Sequence, residues 1–169
     1  MVDVSSEAFR RWFGKSVIAI NGNPLIVYHG GADIPRQRYP VFRPGQGKWG
    51  YGIYFAPERF QAERYAELFP SHVVGEYFLR VERPLVVDER IAYHEDSPRL
   101  VEDARTSGKH DGIIVVSDSF GGAAVNGFRF DRNVVEIVVF TPRQVKSVEN
   151  VGTFDSEQSS VLKGLRRSK

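Results

Sequence analysis

Cysteine is absent from the 169 residues. That excludes disulfides, thiolate metal sites and a cysteine nucleophile, and it fits a reducing compartment. No apolar run approaches the roughly 18 residues that a membrane-spanning helix needs. The opening stretch MVDVSSEAFRRWFG also lacks the apolar segment of a secretory signal. A soluble, cytoplasmic protein with no membrane partner is expected. Charge of one sign is scarce too: 23 Lys and Arg face 21 Asp and Glu, leaving +2. So small a balance does not imply a nucleic-acid partner by itself. The four histidines (His29, His72, His94, His110) are scattered, without a helical i, i+4 pair or a carboxylate at ligand spacing, so no metal is expected. What remains is a chain 41% hydrophobic and 12% aromatic. That composition suits one domain with a core of its own.

Ser5 or Ser6 caps a short helix through EAFRRWF, with Gly14 as its stop. Phe9, Trp12 and Phe13 share a face of it. SVIAI, NGNP and LIVYH read as strand, turn and strand, because Asn21-Gly22 is a strong hairpin signal. Residues 31–50, rich in Pro, Gly and Arg, predict a long loop, and loops of that length are usually functional. YGIYFA is a strand, and PERFQAERYAELF a helix with Pro57 at its start. VVGEYFLRVERPLVVD gives two strands broken by Pro84; SPRLVEDARTSG is a helix and DGIIVVSD a strand. SFGGAAVNGF is a glycine-bearing loop, and NVVEIVVFT the last long strand. Periodicity fades after residue 152. The expected organisation is one domain over residues 1–155 and a loosely ordered basic tail over 156–169, where Lys163, Arg166, Arg167 and Lys169 cluster. Six or so strands and three modest helices, not in strict alternation, predict an α+β fold with mainly antiparallel sheet.

Two motifs imitate chemistry. Gly45 to Gly50 spells G-x-G-x-x-G, but Pro44 precedes it and a strand follows. A dinucleotide fingerprint needs a strand before and a helix after. These glycines are expected to form a mobile loop. SDSFGG, Ser117 to Gly122, lacks the G-x-S-x-G elbow of a serine nucleophile, so a turn closing the strand is expected.

A third pattern survives. The strand Ile26-Val27-Tyr28 ends on His29-Gly30-Gly31, where a core strand would continue apolar. GYGIYFA follows with Tyr54 inside it, and Tyr65 lies eleven positions on (65 − 54 = 11). Glu136 sits within VVEIVVFTPRQV, eight positions before Gln144 (144 − 136 = 8). Strand alternation puts Val134, Glu136 and Val138 on one face and Val135, Ile137 and Val139 on the other. An acid between valines is either on the solvent side of an edge strand or in a cleft, where burial disfavours its charge.

These three segments resemble the signature of ADP-ribosyltransferases of the His-Tyr-Glu class, which includes poly(ADP-ribose) polymerases and diphtheria-type toxins. The chain is most similar to the small ADP-ribosyltransferase domains of phage polyvalent proteins and bacterial toxins. FRRWFG, PLIVYHG, GYGIYF, RPLVVD, DGIIV, VVFTPRQVKS and NVGTFD carry the likeness over roughly residues 8–156. The resemblance implies two mainly antiparallel sheets packed around an NAD cleft. It implies NAD+ as a substrate, with no metal. His29 would bond the adenosine-side ribose, the Gly30 backbone the nicotinamide carboxamide, and Tyr54 and Tyr65 would sandwich the nicotinamide ring. Glu136 would bond the 2′-hydroxyl of the nicotinamide ribose and stabilise the oxocarbenium-like transition state.

The implied activity is mono-ADP-ribosyl transfer to a macromolecular acceptor, protein or RNA/DNA, by a toxin or effector. A toxin delivered into a target cell would have an immunity or antitoxin partner. Departures from the pattern are Gly31, where many relatives carry Ser or Thr, and Ala62, where the polymerases carry serine. Carboxamide recognition then rests on Gly30 alone. Val134, two before Glu136, replaces the first acid of the arginine-modifying E-x-E toxins, which argues against an arginine acceptor. Arg36, Arg38 and Arg43 could meet the pyrophosphate or the target, or be solvated loop charges. Three alternatives stay open: an NAD+ glycohydrolase with water as acceptor, a non-catalytic ADP-ribose- or partner-binding module of the same fold, and a nucleic-acid-binding domain.

Overall fold

The computed structural model describes residues 2–38, 40–118, 133–150 and 154–162. Helix α1 (Glu7–Phe13) begins where Ser6 accepts from the Phe9 N–H and ends at Gly14, φ 58°. Its Phe9, Trp12 and Phe13 are buried as the helical spacing predicts. Asn21-Gly22 does turn a hairpin, φ 50° and 80°. That hairpin is a two-residue ribbon of β1 (Ala19–Ile20) and β2 (Asn23–Pro24). LIVYH is therefore not its second arm. β3 (Val27–Gly31) pairs instead with β6 (Val73–Leu79), because Val27 and Tyr77 belong to the central core.

The stretch expected as a long loop holds β4 (Gly45–Gly47), joined by Lys48-Trp49 to β5 (Gly50–Phe55). The glycine motif thus forms a tight hairpin rather than a loop without structure. Pro57 lies outside helix α2 (Arg59–Ala66), whose N-cap is Glu58. β7 (Pro84–Asp88) starts at Pro84, as an edge strand tolerates. α3 (Leu100–Thr106), β8 (Gly112–Ser117), β9 (Asn133–Val139) and β10 (Val145–Ser147) complete the described elements. The predicted loop SFGGAAVNGF and the basic cluster of the tail lie outside the described residues.

The architecture is α+β. A three-stranded sheet, β10-β6-β3, packs on a five-stranded one, β4-β5-β9-β8-β7. Every pairing is antiparallel except β7 with β8. Val27, Tyr77, Leu79 and Val145 of the first sheet meet Ile53, Phe55, Ile114 and Ile137 of the second. The outer face of the large sheet is covered through Val101 and Ala104 of α3, and α1 packs on Phe78 of the small sheet. Among the described residues no helix is long and apolar enough to cross a membrane.

Two features bear on the expected boundaries. Gln144 is a brace: its Oε1 accepts from the Phe140 and Thr141 N–H groups, and its Nε2 donates to the Arg80 and Asp111 carbonyls. Residues 154–162 are held rather than loose, so 156–162, the described part of the expected tail, pack with the domain. Phe154 joins the α1 cluster, and Val161 is fully buried in the central core. Lys146, almost fully buried, donates to the Gln158 and Ser160 carbonyls at 2.8 Å each. Burial pushes its ammonium down to about 8.

Candidate active site

The site lies where the ends of β3 and β5, helix α2 and the middle of β9 converge. A cavity of about 130 Å³ there is lined by His29, Gly30, Tyr54, Tyr65 and Glu136, among others. It adjoins a larger one of about 400 Å³, which shares His29, Gly30, Tyr54 and Tyr65 and extends toward Phe42, Arg43 and Gln46. All five residues singled out in the sequence come together, although up to 107 positions separate them (136 − 29 = 107).

His29 is clamped by aromatic rings, Phe42 at 4.9 Å and Phe55 at 5.6 Å between centroids. Its Nδ1 lies 2.8 Å from the Tyr54 carbonyl oxygen. A carbonyl only accepts, so Nδ1 carries the hydrogen and Nε2 keeps its lone pair. Burial lowers the ring's pKa, and the Tyr54 carbonyl opposes this more weakly. A neutral ring with a free acceptor nitrogen suits a hydroxyl donor.

Gly30 owes its identity to packing as well as to any ligand. A Cβ there would stand 2.1 Å from the Ala62 carbonyl oxygen and 2.8 Å from the Ala66 nitrogen. The missing side chain lets α2 lie directly on β3, which brings Tyr65 to the cavity. Tyr65 is half exposed, its ring 6.1 Å from Phe69.

Tyr54 presents its ring to both cavities while its hydroxyl is tied away. The hydroxyl donates to the Gly50 carbonyl at 2.5 Å and accepts from the Trp49 N–H at 3.2 Å. Burial pushes its pKa up to about 12. A phenol so placed offers an aromatic face, not a proton. Gly47 makes the room, since a Cβ there would meet the phenol ring at 2.3 Å.

Glu136 stands in the cavity wall, and its Oε2 accepts from the Trp49 indole N–H at 2.5 Å. Burial raises its pKa, with Glu89 adding to the rise; the Trp49 hydrogen bond and Lys48 oppose it. The expected alternation around it is broken by a bulge. Val115 pairs with Glu136 but Val116 with Val134, leaving Val135 unpaired. Val134 therefore joins Ile137 and Val139 in the inter-sheet core, and Val135 lines the cavity beside Glu136. The E-x-E position is filled by a core residue.

Two residues escape the sequence signature, one packed behind the cavity wall and one lining the cavity. Trp49 is fully buried and touches both Tyr54 and Glu136. A tryptophan between glycines, outside any apolar periodicity, was its one signal. Gln61 lines the same cavity, and its only trace in the sequence is its i, i+4 spacing to Tyr65. Arg36 pairs with Glu149 at 2.6 Å on the surface, and Arg43 lines the larger cavity. Among the described residues no group of three or more His, Cys, Asp or Glu could hold a metal ion.

The family described as ADP-ribosyltransferase in polyvalent proteins, ART-PolyVal, matches residues 20–154. The chain belongs to this family. No curated protein matches it.

Proposed function

We propose that the chain is a mono-ADP-ribosyltransferase that cleaves NAD+ at the nicotinamide glycosidic bond. The observation that carries this is Glu136, a carboxylate fixed by Trp49 in the wall of a cavity shared with His29, Gly30, Tyr54 and Tyr65. The nicotinamide would lie in the smaller cavity between Tyr54 and Tyr65, its carboxamide on the Gly30 backbone. The adenosine half would extend past the acceptor nitrogen of His29 into the larger cavity. Cleavage sends the bonding pair of the N–C1′ bond onto nicotinamide, which departs neutral, and leaves positive charge on the ribose. Glu136, bonded to the 2′-hydroxyl, meets that charge as it develops and so favours the transition state over the ground state. The acceptor's nucleophile then bonds C1′ and gives up its proton. Supporting a macromolecular acceptor is the openness of the site around the half-exposed Tyr65. The biological role proposed is that of a bacterial or phage toxin or effector acting on protein or nucleic acid, with a neutralising partner in the producing cell.

The test is nicotinamide release from labelled NAD+, wild type against Glu136→Ala, with and without cell lysate. Release that requires Glu136 and moves label onto macromolecules is the expected result. Release without transfer makes the protein a glycohydrolase. NAD+ bound but never cleaved leaves a binding module and overturns the catalytic reading.

A further inference from the structure

One polar atom in the Glu136 cavity is not used by the chemistry above. Gln61, on α2, lines the cavity, and its Oε1 is buried without a hydrogen-bond partner among the described residues. Buried side-chain oxygens are almost always bonded, so such an atom beside a cavity marks a partner that the chain itself does not supply. Gln61 precedes Tyr65 by one helical turn, which places it alongside the ring proposed to stack on nicotinamide. It cannot retreat, because the next residue, Ala62, packs its carbonyl against the bare backbone of Gly30.

We infer that Gln61 determines specificity for the carboxamide of the departing base, its Oε1 accepting an N–H from that group. This rests on NAD+ being the substrate. The pyridine ring carries one hydrogen-bond donor, the carboxamide nitrogen, whereas the 2′-hydroxyl of the ribose is assigned to Glu136. Ala62 and Gly31 offer no hydroxyl to the amide. Gln61 supplies the missing acceptor from the neighbouring position. A nicotinic-acid ring would present a carboxylate to this oxygen, in a cavity whose wall already holds the Glu136 carboxylate. A site built to pair a donor rejects a ligand that lacks it, because the site's own buried group is then left unpaired.

The experiment compares wild type, Gln61→Met and Gln61→Glu, each checked for folding by circular dichroism. Turnover and binding of NAD+ and nicotinic acid adenine dinucleotide are measured, with free nicotinamide and nicotinic acid binding followed by saturation-transfer NMR. Gln61→Met conserves shape and removes the acceptor. Its KM for NAD+ is expected to rise about 5- to 10-fold, with kcat moved less and the amide-over-acid preference collapsed. Gln61→Glu retains an acceptor and adds charge, so it keeps nicotinamide binding and rejects the acid more strongly. If Gln61→Met folds and binds both rings as wild type does, Gln61 has no part in recognition. Wild type that neither binds nor cleaves NAD+ overturns the substrate assignment beneath it, and that outcome is separate from a wild type that cleaves NAD+ beside an unaffected Gln61→Met.

Discussion

Trp49 reaches from a two-residue hairpin turn to Glu136 in the middle of β9, its indole N–H donating to Oε2 at 2.5 Å. The same residue donates its backbone N–H to the Tyr54 hydroxyl. One turn residue thus fixes both the aromatic face and the carboxylate. The indole hydrogen bond favours the ionised acid and works against the burial that raises its pKa. Trp49→Phe removes the donor and keeps most of the volume. The acid limb of the proposed activity's pH–rate profile should move to higher pH, because the active carboxylate is lost as pH falls through a pKa now higher still. An unmoved limb, with activity lowered uniformly, would make Trp49 a packing residue only.

Glu136→Gln should reduce NAD+ cleavage on the order of 10²–10³-fold while the fold persists. Its effect on stability has the opposite sign. Burial raises the folded-state pKa of Glu136 above the ordinary value, so the ionised acid destabilises the fold. That penalty is absent below the ordinary pKa and complete above the folded one. Thermal melts should show the variant at least as stable as wild type at pH 8, with the difference vanishing near pH 4.

For His29 the linkage runs through the unfolded chain. The buried ring titrates below the usual value of about 6.5. Below that value the unfolded chain takes up a proton that the folded one refuses, so stability should fall as pH drops through the low sixes. His29→Asn keeps a donor near the Tyr54 carbonyl and removes the titration. Denaturant midpoints between pH 7 and 5 should then fall less steeply than in wild type.

Gly30→Ala is expected to be severe. Its Cβ meets backbone atoms of α2, which cannot rotate aside. Overpacking of this kind costs about 1–3 kcal/mol, occasionally more. The helix must lift off β3, taking Tyr65 with it, so NAD+ affinity should fall together with the melting temperature. A variant that melts and binds like wild type would mean that α2 and β3 do not pack this way.

Ending the chain at residue 155 tests the held segment. It removes Val161 from the core and both carbonyls from the buried Lys146 ammonium. Burial of one valine is worth about 1.5–3 kcal/mol, so the melting temperature should drop by at least about 3 °C. Equal melting of the two forms would show that residues 156–162 are dispensable to the domain.

Much of this was legible in the sequence because the signals were local. Ser6 and Gly14 mark α1, Asn21-Gly22 marks a turn, and apolar runs mark β8 and β9. The family signature points to His29, Tyr54, Tyr65 and Glu136, and the fold places them around one cavity. What escaped depends on pairing between distant segments. Asn21-Gly22 turns a ribbon two residues deep, but no local signal says that β3 leaves it for β6. A bulge is invisible to a period-of-two reading, so Val134 and Val135 exchanged faces. The role of Gly30 against α2 needs the distance to Ala62, and Gln144 reads as a motif letter until its four backbone partners are seen. Val161 was missed because one buried valine in a polar stretch has no periodicity.

The unpaired Val135 also sets how β9 can vary in related chains. The core valine and the acid occupy successive register positions, Val134 opposite Val116 and Glu136 opposite Val115, with Val135 the extra residue between them. Deleting position 135 would restore an unbroken ladder and keep Val134 in the core and the carboxylate in the cavity wall, because those two already face opposite Val116 and Val115. A chain without the extra residue should therefore keep the acid facing the cavity and lose only the apolar wall that Val135 adds beside it.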